Sequence, residues 1–385
     1  MKHSRRTLSA AAAITMCVIV ASAVRAGDGD DPAKKQNRYV ITNLTSDLPG
    51  IAPNTDPVLQ NAWGVAFTPG ASPFWIADNA TGCSTLYDGS GVPVSLRVKL
   101  PLPGGSVPAR ACTHVDPTNP PTPAPAAPTG LVWNPTTTFL VPGTSSPATF
   151  IWATEDGTIS AWTNGLTPPD HAVLAVDKSP GAVYKGLVFG TNVHGVFLFA
   201  TNFRAGTIDV FAPGYRAATS AEIEGDFTDP NIPAGFAPFG IQNINGDLFV
   251  TYALQNAAMH DDVAGPGNGF VDVFDTDGHL LRRFASRGAL NSPWGVARAS
   301  FAFGRFSGAI LVGNFGNGEV NAFDSDGHFL ETLKDDKGKP VVIDGLWTLT
   351  LGGGRNSSSD TLYFTAGPNG ETDGVFGTIT PAATD

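Results

Sequence analysis

Short apolar runs recur along the chain, and each set of runs begins just after a residue pair that ends in glycine. FWIAD at 74–78, FIWAT at 150–154 and LYFTA at 362–366 are examples of the runs that follow. Runs this short, rich in aromatic and β-branched residues, are typical of buried strands. The glycine pairs are Trp63-Gly64, Thr129-Gly130, Lys185-Gly186, Phe239-Gly240, Trp294-Gly295 and Asp344-Gly345, and successive glycines are 50 to 66 residues apart. This spacing predicts a series of blade-like sheets whose loops differ in length.

The later runs of each repeat indicate how the sheets form a ring. Fourth runs lie at 94–100, 171–177, 279–285 and 328–333, and 221–229 is the best candidate in the third repeat. The sixth repeat has no fourth run, whereas a strand-like run at 38–48 precedes the first glycine pair. Pairing that run with the last sheet would remove two exposed sheet edges. We therefore predict an all-β, six-bladed β-propeller over residues 38–380, closed by the N-terminal strand completing the last blade.

The N-terminal segment has the pattern of an export signal. Lys2, Arg5 and Arg6 precede an uncharged apolar stretch at 8–24, followed by small residues. This predicts a signal peptide over 1–26, with cleavage after Ala26 or after Ala23. The arginine pair also fits a twin-arginine signal, and both routes predict a secreted or periplasmic protein. Residues 27–37 are expected to be a flexible segment and 381–385 a C-terminal tail.

The charge of the chain excludes one class of partner. The formal net charge is −11, and removal of residues 1–26, which carry four basic and no acidic side chains, makes it −15. Phosphate backbones are bound through clustered Lys and Arg, so nucleic acid is not expected as a partner. The sequence shows no second membrane segment, and we expect a monomer.

Two cysteines remain after removal of the signal peptide. In an oxidising compartment, Cys83 and Cys112 are predicted to form a disulfide, and a metal or redox pair is the alternative. Neither belongs to a C-x-x-C motif. The proline-rich segment at 116–128 is expected to be an exposed loop between the first two blades.

The repeat pattern also places a candidate site. In a propeller, the starts of the inner strands and the ends of the second strands meet around one mouth of the central channel. The residues predicted at this mouth as ligand-binding candidates are Trp63, Asp78, Asn79, Glu155, Lys185, Asn202, Phe239, Trp294, Asn314 and Asp344.

These candidates allow alternative roles. A hard cation such as Ca²⁺ prefers several oxygen ligands, so one interpretation is a metal site. The other is that Asp and Asn cap turns through their own side chains. The residues of this candidate metal set are Asp78, Glu155, Asn202, Asn314 and Asp344.

The remaining mouth residues also have two interpretations each. The aromatic rings of Trp63, Phe239 and Trp294 would either stack on a ligand or plug the channel. Lys185 would contact an anion or carbonyl, or form a salt bridge with a rim carboxylate. The run at 260–262, His-Asp-Asp, lies in a loop near the same mouth, where it would supply a metal ligand or a base.

Several segments resemble known propellers. Residues 292–333 resemble the NHL repeat in their glycine pair, apolar strand and strand ending in D-x-D-G. Residues 225–253, 59–67 and 362–379 resemble an uncharacterised family of secreted bacterial β-propellers. That resemblance implies the fold and export, and it supplies no catalytic residues. Regucalcin and gluconolactonase-type propellers are more distant, because they carry an acid or amide before several of the glycines and only Asp344 fits that pattern here.

Taken together, these features give two hypotheses of function. The first is an exported propeller scaffold, without a defined catalytic activity, that binds a carbohydrate, a peptide or an envelope protein at its channel mouth. The alternative is a divalent-metal-dependent hydrolase of lactones or esters, with Ca²⁺ as the candidate ion.

Overall fold

The chain forms a closed ring of antiparallel sheets. A computed structural model describes residues 36–70 and 72–383, so the predicted signal peptide lies outside the described residues. The described part contains six sheets, five of four strands and one of five. The innermost strand of each sheet contacts the innermost strand of the next, and the last contacts the first. The prediction of a six-bladed β-propeller is confirmed.

The first three blades follow one another along the chain, each running from the axis outwards. Blade 1 contains β3 (Ala62–Ala66), β4 (Phe74–Asp78), β5 (Cys83–Tyr87) and β6 (Pro93–Lys99). Blade 2 contains β7 (Pro128–Trp133), β8 (Phe150–Thr154), β9 (Thr158–Trp162) and β10 (Val173–Asp177). Blade 3 contains β11 (Tyr184–Asn192), β12 (Gly195–Asn202), β13 (Thr207–Ala212) and β14 (Arg216–Ala217).

The last three blades include the one that closes the ring. Blade 4 contains β15 (Phe236–Ile244), β16 (Asp247–Leu254), β17 (Phe270–Phe274) and β18 (Leu280–Ser286). Blade 5 contains β19 (Pro293–Arg298), β20 (Ile310–Asn314), β21 (Val320–Phe323) and β22 (Phe329–Thr332). Blade 6 contains β23 (Leu346–Leu351), β24 (Leu362–Ala366), β25 (Val375–Pro381), β1 (Tyr39–Ser46) and the short β2 (Asn54–Thr55), and the one described α-helix, α1 (Pro368–Glu371), precedes β25.

The N-terminal strand closes the ring as the sequence predicts. Strand β1 pairs antiparallel with β25, from Tyr39 opposite Pro381 to Ser46 opposite Val375. The Tyr39 ring is buried, and its hydroxyl donates a hydrogen bond to the Phe303 carbonyl at 3.0 Å, which fastens the strand to blade 5. The outer edge of β25 is thereby paired with a strand from the other end of the chain.

The glycines of the inner strands are explained by crowding at the axis. A Cβ at Gly64 would lie 2.4 Å from the Thr129 carbonyl oxygen of the next blade, and one at Gly295 would lie 2.4 Å from the Trp347 oxygen. Such distances are below van der Waals contact, so only glycine lets the neighbouring inner strands approach this closely.

The predicted residue pair of blade 6, Asp344-Gly345, is wrong: the equivalent pair lies three residues later along the chain. Leu346 pairs with Ala366 as Ala62 pairs with Asp78, which makes Trp347 the counterpart of Trp63. Thr348 takes the glycine position, and its hydroxyl donates to the Trp63 carbonyl at 2.7 Å. Gly345 lies just before the strand with a φ of +66°, and a Cβ there would lie 2.1 Å from the Gly367 carbonyl oxygen of the same blade.

The predicted fourth strand of blade 3 is also wrong. Residues 221–229 contain no strand, and the outer strand is the two-residue β14, which pairs with Phe211 and Ala212. A strand of two residues carries no alternation of apolar and polar positions, so the pattern had nothing to detect.

The predicted disulfide is present between Cys83 of β5 and Cys112 of the following loop. Both cysteines are buried and pack against Val58. The proline-rich segment that follows Cys112 contains no strand before Pro128, where β7 begins. Among the described residues, no helix is long and apolar enough to cross a membrane.

Candidate ligand-binding site at the upper mouth

The two ends of the channel differ in kind, and we name them by the direction of the inner strands. The upper mouth is the end where the inner strands begin and the second strands end, and the lower mouth is the opposite end. The upper mouth is lined by Asn61, Asn79, Glu155, Lys185, Glu371 and the loop 260–262, which come from five blades.

Large aromatic side chains close the axis beneath the upper mouth. Trp63 stacks on Trp347 with ring centroids 3.5 Å apart, and Phe315 stacks on the other side of Trp347 at 4.0 Å. Trp63 and Phe239 are 1% and 0% exposed. Their rings therefore fill the axis, which is the plugging role. This aromatic plug consists of Trp63, Phe203, Phe239, Trp294, Phe315 and Trp347.

Lys185 lies between this plug and the carboxylates above it. Its side chain is 3% exposed, and its ammonium group forms a short ion pair with Glu155. The same nitrogen lies 3.8 Å from Asp261 Oδ1 and 5.2 Å from the centre of the Trp63 ring. The expected salt bridge to a rim carboxylate is present, and a cation over an aromatic face adds to it.

Asn61 fixes the direction of the hydrogen bonds in the mouth. Its Oδ1 accepts the indole N–H groups of both Trp63 and Trp347 at 2.9 Å. Its amide nitrogen therefore points away from the plug and donates to Glu371 Oε2 at 2.8 Å and to Asn79 Oδ1 at 3.2 Å. Asn61 has a φ of +48°, a conformation that asparagine tolerates better than most residues.

The network continues to the second carboxylate with the same polarity. Because Asn79 accepts through its oxygen, its nitrogen is free to donate, and it does so to Glu155 Oε2 at 3.0 Å. The hydrogen bonds therefore run in one direction. The indole N–H groups donate at the buried end, and Glu155 and Glu371 accept at the other end. Two carboxylates thus form the ends of the network that a ligand would meet.

Glu371 is placed by an unusual stretch of backbone. Asn369, Gly370 and Glu371 have φ values of +57°, +68° and +69° within α1. A non-glycine residue in this region carries strain, which concentrates at functional sites. Burial, followed by the nearby charge of Glu155, raises the pKa of Glu371 from 4.5 to about 7.

The loop after β16 brings a histidine to the mouth. His260 Nδ1 lies 2.7 Å from Asp261 Oδ1, and this hydrogen bond raises the pKa of His260 and lowers that of Asp261. Ligand atoms of Glu155, His260 and Asp261 all lie within 4.8 Å of one another. Among the described residues this is the group of three or more such side chains with the spacing of a metal site.

The candidate metal set from the sequence is not brought together. Asp78 is fully buried, and its Oδ1 accepts a hydrogen bond from Thr85 at 3.1 Å. Burial raises the pKa of Asp78 well above its usual range. Asp344 is exposed and accepts from the Asn369 backbone N–H at 2.9 Å. Glu155 is the one member of the set in the close group.

The two asparagines of that set are engaged by backbone groups of neighbouring loops. Asn202 Oδ1 accepts the backbone N–H groups of Val183 and Ala205 at 3.3 and 3.2 Å. Asn314 accepts from the Asn291 N–H at 3.1 Å and donates to the Ala289 carbonyl at 2.8 Å. The bond from Ala205 is a local turn cap, whereas Asn314 joins the end of β20 to the loop before β19.

The sequence did not single out Asn61, Trp347 or Glu371. Trp347 was detectable, since LWTL at 346–349 matches AWGV at 62–65 and PWGV at 293–296. Asn61 and Glu371 lie outside the strand pattern, at positions with positive φ. Nothing in the periodicity marks them.

The lower mouth has a different lining. A cavity of about 70 Å³ lies on the axis among the inner strands, lined by Gly64, Gly130, Gly295 and Thr348 among others. Beyond it, a pocket of about 250 Å³ is lined by apolar residues, including Phe67, Trp133 and Phe189. Gln242 is the polar side chain of that pocket lining.

Solved structures with low sequence identity share this fold. A catalytically inactive virginiamycin B lyase from Staphylococcus aureus with quinupristin is 12% identical with a TM-score of 0.50, covering 90% of this chain and 99% of that one. A gluconolactonase from Xanthomonas campestris is 14% identical with a TM-score of 0.47, covering 84% and 86%. The similarity to the lyase shows the propeller fold alone.

The sequence comparisons give relatives of similar length. No protein-family model matches the chain. Uncharacterized protein L690 of Acanthamoeba polyphaga mimivirus is 29% identical over 356 residues, which is 90% of this chain and 87% of the relative. Uncharacterized protein R648 of the same virus is 31% identical over 353 residues, which is 90% of this chain and 82% of the relative. These relatives are viral, so the bacterial and secreted parts of the earlier resemblance stay predictions. The chain belongs to the same protein family as uncharacterized protein R648 of Acanthamoeba polyphaga mimivirus.

Proposed function

We propose that this protein is an exported propeller scaffold that binds a ligand at its upper mouth, and that the ligand is a carbohydrate. The observation that carries the proposal is the polarised network in which Asn61 and Asn79 direct their donors onto Glu371 and Glu155. A site that ends in acceptors selects ligand groups that donate, and sugar hydroxyls are such groups. A peptide or an envelope protein would have to present comparable donors.

The rigidity of the site supports the same function. The two indoles below Asn61 are buried, so the amide cannot rotate without leaving their N–H groups unpaired. A network held in this way presents its carboxylates in a fixed geometry, which lowers the ordering cost of binding. The acidic character of the chain excludes anionic polymers and leaves neutral and amino-sugar polysaccharides.

Co-sedimentation with insoluble chitin and cellulose tests this function. We expect the wild-type protein to bind at least one of them, and Glu371→Gln to bind about tenfold more weakly. Gln would keep the acceptor towards Asn61 and turn its own amide N–H groups towards the ligand, which replaces a carboxyl acceptor with a donor. Glu224→Gln, a change of the same type at an exposed position, is the matched control.

The same experiment defines the results that would contradict carbohydrate binding at the upper mouth. Absence of binding to both polysaccharides, or equal binding by Glu371→Gln and wild type, would show that the upper mouth does not hold a carbohydrate. A loss of binding in Glu224→Gln as well would place the interaction on the general surface charge instead.

A second candidate function is a divalent-metal-dependent hydrolase of lactones or esters. The group of Glu155, His260 and Asp261 favours it, with one ligand from blade 2 and two from the loop after β16. A bound divalent ion would polarise a carbonyl oxygen and activate water. Imidazole together with carboxylates suits zinc better than Ca²⁺, which prefers oxygen ligands.

Hydrolysis of p-nitrophenyl acetate and δ-gluconolactone, with zinc and then with EDTA, tests this second function. We expect turnover that depends on zinc and is lost in His260→Ala. Turnover that persists equally in EDTA, or that is absent with zinc, would contradict it.

A further inference from the structure

We propose that the upper mouth is a divalent-cation site of the zinc class, formed by Glu155, His260 and Asp261, in which the Lys185 ammonium group acts as an internal competitor. This inference rests on the same residues as the second candidate function and goes beyond it, because it names the class of ion and the group that opposes binding. It does not require any hydrolytic activity.

The three side chains already lie close to one another. Their candidate ligand atoms lie within 4.8 Å of one another. Two ligands of a tetrahedral zinc ion lie about 3.4 Å apart, given bonds of about 2.0–2.2 Å. His260 and Asp261 are 37% and 61% exposed, so their side chains have room for the small rotations that close this difference.

A positive charge is already held beside the proposed ligands, an observation that does not depend on the ligand spacing. The Lys185 ammonium contacts Glu155 Oε1 and lies 3.8 Å from Asp261 Oδ1, two of the three proposed ligands. The faces of Trp63, Phe203 and Phe239 lie 5.2, 5.7 and 5.9 Å from it. Carboxylates above and aromatic faces below both favour a cation.

Glu155 has only one carboxylate oxygen with which it could bind an ion. Its Oε2 accepts the Asn79 amide N–H at 3.0 Å, within the network held by Asn61. Its Oε1 is the partner of Lys185. An incoming ion must therefore take Oε1 from the ammonium, so removal of the ammonium should strengthen ion binding.

The chemical class of the ion follows from the donors. An imidazole nitrogen and two carboxylate oxygens resemble the three-ligand sets that hold zinc and leave a position open for water or a ligand. Ca²⁺ takes six to eight oxygen ligands, and this site does not gather that number from the side chains found in it.

Isothermal titration of zinc chloride into the wild-type protein and into Lys185→Met tests the proposal. We expect Lys185→Met to bind zinc at least about tenfold more tightly, because a buried positive charge beside the ligands is removed. Lys178→Met is the matched control. Lys178, between β10 and β11, also pairs with an aspartate, Asp209 at 3.2 Å, and lies over an aromatic ring, but that partner is none of the three proposed ligands. Lys178→Met should bind zinc as the wild type does.

Substitutions of the exposed ligands make the test independent of the folding of the lysine variant. His260→Ala and Asp261→Asn should each weaken zinc binding at least about tenfold. Lys185→Gln replaces Lys185→Met if the latter does not fold. Calcium chloride in place of zinc should give at least about tenfold weaker binding to Lys185→Met.

Two results would overturn the proposal. Equal zinc affinity in Lys185→Met, or Lys185→Gln, and wild type would show that the ammonium does not compete. Equal affinity in His260→Ala and wild type would show that these side chains are not the ligands. Chitin co-sedimentation in EDTA is measured in parallel, so that failure of the metal site and failure of the carbohydrate function are separate outcomes.

Discussion

The two ends of the channel are built from the same inner strands, yet they differ in chemistry. At the upper mouth, Asn61 connects two buried indoles to the Glu371 carboxylate directly and to the Glu155 carboxylate through Asn79, by hydrogen bonds of 2.8–3.2 Å. At the lower mouth, Phe67, Trp133 and Phe189 line a largely apolar pocket. Loops from several blades meet at each mouth. The loops at the upper mouth carry the polar residues. The fold therefore offers two openings, and side chains from the loops make one of them a polar site.

Replacement of the central asparagine should have the largest effect. Asn61→Ala leaves the indole N–H groups of Trp63 and Trp347 buried without an acceptor, which should lower the free energy of unfolding by about 3 kcal/mol. Urea denaturation followed by tryptophan fluorescence measures this loss. The matched change at the lower mouth is Gln242→Ala, an exposed residue, for which we expect less than about 0.5 kcal/mol. Similar losses in both variants would remove the distinction between the two ends.

A methyl group at the axis should have a smaller effect that does not depend on the polar network. The Cβ in Gly64→Ala would meet the Thr129 carbonyl oxygen at 2.4 Å, so the inner strands must shift. We expect a loss of about 2 kcal/mol in the free energy of unfolding. Thr348→Ala, at the equivalent position of blade 6, loses the hydrogen bond to the Trp63 carbonyl and should cost about 1 kcal/mol. A Gly64→Ala protein as stable as the wild type would contradict the crowding argument.

The last expected effect is of a different kind, a change in how stability depends on pH. The pKa of Glu371 is raised from 4.5 to about 7, so the folded protein binds more protons than the unfolded chain between these values. The contribution of Glu371 to stability is therefore complete below pH 4.5 and is lost as the pH rises towards 7. Glu371→Gln should remove this part of the slope, whereas Glu224→Gln should retain it. Urea denaturation at several pH values measures both slopes, and identical slopes in Glu371→Gln and wild type would contradict the assignment.

The sequence predicted most of the fold because the fold depends on periodic features. Short apolar runs between turns identified the blades, and the unpaired run at 38–48 identified the strand that closes the ring. The first strand of blade 6 was misplaced because two glycines can be required for different physical reasons. Gly345 has a positive φ and lies against Gly367 of its own blade, whereas Gly64 leaves room for Thr129 of the next blade.

The candidate site was predicted only in part. The structure brings Lys185 and Glu155 into contact, because strand starts and strand ends meet at this mouth. Asp78, Asn202 and Asn314 lie at such strand ends too, yet their side chains bond to Thr85 and to backbone groups of neighbouring loops. The direction of a side chain at the end of a strand depends on tertiary packing, which the residue type does not reveal. Glu371 reaches the mouth through consecutive positive φ angles that no pattern of polar and apolar residues encodes.

The most direct test of the central claim is a crystal structure of the protein soaked with a chitin or cellulose oligosaccharide. The account predicts electron density for the sugar at the upper mouth, with hydroxyl groups within hydrogen-bonding distance of Glu155 and Glu371. Density at the lower mouth among Phe67, Trp133 and Phe189, or on the outer edge of a blade, would contradict it.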